Sequence, residues 1–143
     1  MHVREMSARV EQFLNDANRL QWKKNKDYHP DDVAFLEAMR TAAESNITVE
    51  QDLWGRVAKQ KAAIRRFLID GHLESEPIEQ RLMDVAVYMG MLNTWVTHKD
   101  VLLRDAMVFV THLPCDPGAH RTHSDPCSRC LLYDWIVRTH KTR

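Results

Sequence analysis

Glycine and proline are scarce in this 143-residue chain, with four and five of them respectively, and cysteine occurs only three times. So few breakers, gathered at a handful of places, leave long uninterrupted stretches for regular structure. An odd number of cysteines, all near one end (Cys115, Cys127 and Cys130), argues against a secreted disulfide scaffold and for a reducing compartment. Charge of one sign is lacking too: 20 Lys and Arg are balanced by 20 Asp and Glu. A neutral chain is not a general nucleic-acid or anionic-membrane binder, and only a local basic patch could serve that end. No apolar run is long enough to span a bilayer. Residues 1–22 carry Arg4, Glu5, Arg9, Glu11 and Asp16 and lack the apolar stretch of a signal peptide, so a cytoplasmic location is expected.

What is present is helical periodicity. Val3, Met6, Val10, Phe13, Ala17 and Leu20 recur at steps of three and four, which predicts a first helix over 2–22. Lys23 to Pro30 then reads as a polar loop. A second helix is expected over 31–45. Thr48 and Gln51 form a T-x-x-Q capping box at the head of a third, and Gly71 is placed to end it. A fourth helix opens at Pro77 and runs to about Thr97, with a break over 97–100. Asp100 is a candidate cap for a fifth helix that Pro114 stops, and a last one opens at Asp125-Pro126. No strand is expected. The reading is an all-α helical bundle over 1–113, followed by a C-terminal Cys/His segment over 114–143 with one helix.

Chemistry concentrates at three places. From Leu82 to Leu92 the fourth helix is apolar all round and holds one charge, Asp84, with Gln80 and Tyr88 a turn away on either side. A buried carboxylate needs a partner. The third helix offers Lys61, on the line taken as Leu53, Val57, Ile64 and Leu68, with Arg65 at its border and Arg56, Lys59 and Arg66 beside it. The pair Lys61–Asp84 is therefore expected either to fix helix register or to mark a phosphate site. The segment Lys24-Asn25-Lys26-Asp27-Tyr28 packs a cation, an amide, a carboxylate and a phenol into one short stretch. The third place is the tail: Cys115, His120, His123, Cys127 and Cys130 supply five candidate ligands, any four of which suit a closed structural Zn²⁺. Arg121, Arg129, Arg138, Lys141 and Arg143 make that tail basic, so nucleic acid is a possible contact.

Lys24-Asn25-x-Asp27-Tyr28, then the basic helix with Arg56, Lys61 and Arg65, then Glu79-x4-Asp84-x3-Tyr88 resemble the nucleotide-modification-associated domain family of phages and bacteria. Its members open with Lys-Asn-x-Asp-Tyr and close with Asp-x-x-x-Asp-Leu-Ala-Asn-Tyr. The likeness covers residues 22–95. That family is similar in style to the all-α MazG-like nucleoside triphosphate pyrophosphatases, which hold Mg²⁺ on acidic helices. The resemblance implies that Lys24, Asn25, Asp27, Tyr28, Lys61, Arg65, Asp84 and Tyr88 face one pocket. It implies a nucleotide ligand, and Mg²⁺ on Asp27 and Asp84 with Glu79 or Glu76 nearby for cleavage to a monophosphate and pyrophosphate. Gln80 stands where the family often has a second acid and Val87 where it has Asn, and the pyrophosphatases' E-E-x-x-E helix is missing. Nucleotide binding is thus more directly implied than hydrolysis. The rivals are a non-catalytic nucleotide binder and a zinc-containing DNA-contacting accessory protein. A homo-oligomer is also expected, because the fourth helix is too apolar for its own neighbours to cover, leaving Met83, Met91 and Trp95 for a partner.

Overall fold

The computed structural model describes residues 2–28, 33–73, 76–114 and 127–141, with the backbone alone for residues 22 and 24–28. Among the described residues there are five helices and no strand: α1 (Val3–Tyr28), α2 (Leu36–Ser45), α3 (Val49–Asp70), α4 (Ile78–His112) and α5 (Ser128–Lys141). No helix of the described residues is long and apolar enough to cross a membrane.

The helix ends follow local chemistry. Thr48 Oγ1 accepts from the Gln51 N–H at 3.1 Å, and Gln51 Oε1 accepts from the Thr48 N–H at 2.9 Å. That is the reciprocal capping box expected of this sequence. Gly71, at φ 76°, donates its N–H to the Phe67 carbonyl and closes α3 in a conformation that costs a Cβ-bearing residue more. The expected break after Thr97 is a kink: His98 has φ −125° and ψ 19° within α4, so the fourth and fifth expected helices run on as one bent rod.

Two expectations are corrected. Residues 23–28 are not a loop, because α1 continues to Tyr28. Nothing before Pro30 blocks propagation, and polar residues extend a nucleated helix readily. α2 begins at Leu36 rather than Asp31, because Phe35 sits at φ 65°, a left-handed conformation that no helix interior admits.

The chain divides into two compact units, Met1–Pro30 with Leu53–Asn93, and Asp31–Asp52 with Thr94–Arg143. Inside the second unit α5 packs on α2. Ala38, Ala42 and Ala43 on α2 are small enough for the two helices to approach closely, and Leu132, Trp135 and Ile136 of α5 are buried. Trp135 Nε1 donates to the Ile47 carbonyl at 3.0 Å. Leu102, Leu103, Ala106 and Val110 form the buried stripe of the second half of α4.

Among the described residues Trp95 is the largest fully buried side chain, at 0% exposure, and so is not left for a partner. Phe35 lies against it with ring centroids 5.6 Å apart, and the Lys99 ammonium stands 5.5 Å from its ring centroid. Lys99 Nζ also donates to Glu50 Oε1 at 3.0 Å. Glu50 Oε2 and the Trp95 indole nitrogen, both buried, make no well-formed hydrogen bond. Burial pushes the Glu50 carboxyl up, but its own backbone N–H, the hydrogen bond from Lys99, the polarity of the Trp95 indole N–H and the Lys99 charge outweigh that and hold it below its ordinary value. A lowered folded-state pKa means the ionised form stabilises the fold at neutral pH, and that this contribution is lost as acid takes Glu50 through its lowered pKa. Glu50→Gln is therefore expected to destabilise at pH 7 by about 0.5–1 kcal/mol, a modest figure because a third of the side chain meets solvent. The difference from wild type should close as pH falls below the ordinary glutamate range, as followed by urea unfolding across pH.

Candidate functional site

Among the described residues, the first unit buries the polar side chains of Gln60 on α3 and Asp84 on α4. Gln60 lies about 20° from Leu53 round the α3 axis and Lys61 about 80°, counting 100° per residue. Leu53, Val57 and Gln60 are buried, whereas Lys61 and Arg65 are exposed and Leu68 is 77% exposed. The stripe of α3 steps by four and then by three, and a second step of four leads off the face. The expected Lys61–Asp84 pair is thus replaced by an amide–carboxylate pair.

Gln60 Nε2 donates to Asp84 Oδ2 at 3.2 Å, and Gln80 Nε2, one turn before Asp84 on α4, donates to Oδ1 at 3.3 Å. Arg81 completes the arrangement. Its Nη1 donates to Gln60 Oε1 at 2.8 Å, and its Nε lies 3.2 Å from Glu76 Oε2. A chain of polar contacts therefore leads from the half-exposed Glu76 through Arg81 and Gln60 to the buried Asp84. Donors on both carboxylate oxygens stabilise the charge that burial would otherwise penalise. Chemically the arrangement presents a carboxylate acceptor, two amides and a guanidinium along the α3–α4 seam of one unit.

The other expected residues divide. Tyr88 is half-buried one turn beyond Asp84, while Glu79 is exposed and is not brought to Asp84. Lys24, Asn25, Asp27 and Tyr28 lie on the last turns of α1, and their side chains fall outside the described residues. By backbone register Lys24, Asp27 and Tyr28 share a face of α1, with Asn25 about 100° round from Lys24. Gln60 and Arg81 were not singled out from the sequence. Arg81 carried a signal, being the cation one helical turn before the lone acid of the apolar stretch. Gln60 carried only its place on the stripe.

Among the described residues no three His, Cys, Asp or Glu side chains come together to hold a metal. Cys115, His120 and His123 lie outside the described residues. Cys127 and Cys130 are described, with their sulfurs 3.4 Å apart at the start of α5, where the Leu131 N–H donates to the Cys127 carbonyl. Comparison with protein-family models, with curated proteins and with solved structures finds no match to this chain.

Proposed function

We propose that the chain binds a nucleotide in its first unit, at the α3–α4 seam around Asp84. The observation that carries this reading is the buried Asp84 carboxylate, held by Gln60 and Gln80 and linked through Gln60 to Arg81. A carboxylate acceptor beside amides suits the amino and hydroxyl edges of a nucleoside, and a guanidinium suits phosphate. The resemblance of Lys24-Asn25-x-Asp27-Tyr28 to the nucleotide-modification-associated family supports the same ligand class. Binding is favoured over hydrolysis, because Asp84 is engaged by amide donors and Glu79 points to water, whereas metal-assisted cleavage needs several carboxylates on the ion. Mg²⁺ on Asp27 and Asp84, with release of pyrophosphate, is the catalytic form of the proposal.

The test is a thermal melt against a panel of nucleoside and deoxynucleoside triphosphates, with and without Mg²⁺, alongside a pyrophosphate assay. A nucleotide at a hundred times its Kd raises stability by about 2.7 kcal/mol and should shift the melt by several degrees. A panel without any shift refutes nucleotide binding, and a shift without pyrophosphate selects the binder over the enzyme.

A structural Zn²⁺ in the tail is a second proposal, favoured by the close approach of the Cys127 and Cys130 sulfurs at the head of α5. Two of Cys115, His120 and His123 would complete a tetrahedral set. Protein purified without chelator is then expected to carry about one Zn²⁺ per chain by elemental analysis. Metal-free protein with an unaltered melt would refute it.

A further inference from the structure

The chain is neutral as a whole, but its charge is not evenly spread. Residues 53–69, which make up most of α3, carry Arg56, Lys59, Lys61, Arg65 and Arg66 and no acid, and no other acid-free stretch of the sequence is as long. Elsewhere the signs alternate, as in Arg4, Glu5, Arg9 and Glu11 of α1, where Arg9 pairs with Glu5 at 3.1 Å. On α3 the cations are not neutralised in that way. Lys59, Lys61, Arg65 and Arg66 are exposed, and none of them pairs with a carboxylate among the described residues.

An aromatic ring shares this face. Trp54 is 58% exposed, and Lys61, Arg65 and Leu68 all lie within about 40° of it round the helix axis. The line from Trp54 to Leu68 is about 21 Å long, roughly six nucleotides of a strand at 3.4 Å each. Lys61 and Arg65 stand about 6 Å apart along it, within reach of successive phosphates. Cations that follow a backbone beside a ring on which a base can stack are what a single strand requires. In a duplex the bases are already stacked on one another, so the indole would have only their edges to meet. An anionic membrane fits less well. Lys61 and Arg65 lie within the line itself, so Trp54 and Leu68 cannot sink into the interface without taking both charges with them. An acidic protein would meet the cations but offers no flat face to the indole.

We infer that the outer face of α3 binds single-stranded nucleic acid, with Trp54 stacking on a base and Lys61 and Arg65 on phosphates. This stands apart from the nucleotide reading, which concerns the buried seam around Asp84. The test is fluorescence anisotropy of a labelled oligo-dT of about 12 nucleotides with the full chain, free nucleotide being left out. Wild type should bind with a Kd on the order of 1–100 μM at about 50 mM salt. Lys61→Gln with Arg65→Gln keeps good helix formers at both exposed positions and should retain the helical far-ultraviolet spectrum. It should weaken binding and flatten the slope of log K against log salt by about 1.4, at 0.7 per phosphate. Arg4→Gln with Arg9→Gln removes the same charge from α1 and should leave affinity and slope unchanged. Trp54→Ala should weaken binding about tenfold, and Trp54→Phe, which keeps a stacking face, should restore most of it. A wild type that does not bind the strand at 100 μM overturns the proposal, whether or not it binds anionic vesicles. So does equal affinity for a duplex of the same length. A Lys61/Arg65 double variant with unaltered affinity and slope overturns it as well, by placing the contact elsewhere, as on the basic tail. Asp84→Asn does not alter the outer face of α3, so failure of the nucleotide site and failure of this one are separate results.

Discussion

Trp95→Ala is expected to cost about 3–5 kcal/mol, the largest single effect of any substitution considered for this chain. The indole is wholly buried, and its removal leaves a cavity that the second unit has little means to fill. Phe35 loses the ring on which it is stacked, and it is held at φ 65°, a conformation that a phenylalanine keeps only when its surroundings enforce it. Lys99 loses the aromatic face under its ammonium. For a chain of this size the loss corresponds to a fall in Tm of about 10 °C or more. Trp54→Ala is the matched control, since Trp54 is 58% exposed, and it should change stability by less than about 1 kcal/mol. Equal effects of the two substitutions in a circular-dichroism melt would mean that Trp95 is not the centre of the second unit's core.

Asp84→Asn is expected to be felt twice. In stability it should cost about 1–3 kcal/mol, because the two amides that donate to the carboxylate would meet a neutral group able to accept with only one of its two polar atoms. A stranded Lys61 plays no part in this, since Lys61 is exposed and Arg81 retains Glu76. In function, the nucleotide-induced thermal shift should fall with at least a tenfold loss of affinity, about 1.4 kcal/mol. Lys61→Ala separates the two effects, because it should leave stability unchanged and weaken nucleotide binding only if that exposed cation reaches a phosphate. If Asp84→Asn keeps the full shift, any nucleotide site lies away from the α3–α4 seam. If it loses stability without loss of binding, the Asp84 cluster is a packing device alone.

The sequence reading succeeded where structure is decided within a turn or two. The capping box at Thr48 and Gln51, the left-handed Gly71 and the bend at His98 each depend on residues within a few positions of one another. Asp84 was legible as a buried acid because the only charge in an apolar helix has few places to go. The partner of Asp84 was misread for a geometric reason: a stripe stepped by fours drifts about 40° per step from the 3.6-residue repeat, which exchanges Gln60 for Lys61.

The all-α class, the helix boundaries near capping residues and the presence of one buried carboxylate were determined by the sequence itself, through periodicity and local hydrogen bonding. Which faces meet was decided only by tertiary packing. Trp95 looked available for a partner because helix periodicity says which residues are apolar, not what lies opposite. Phe35, Leu36 and Met39, some 60 residues earlier in the chain, share its core. The same holds for α1, where one unbroken stripe is half buried and half in water, because coverage depends on how far the neighbouring helices extend and not on the residues of the stripe.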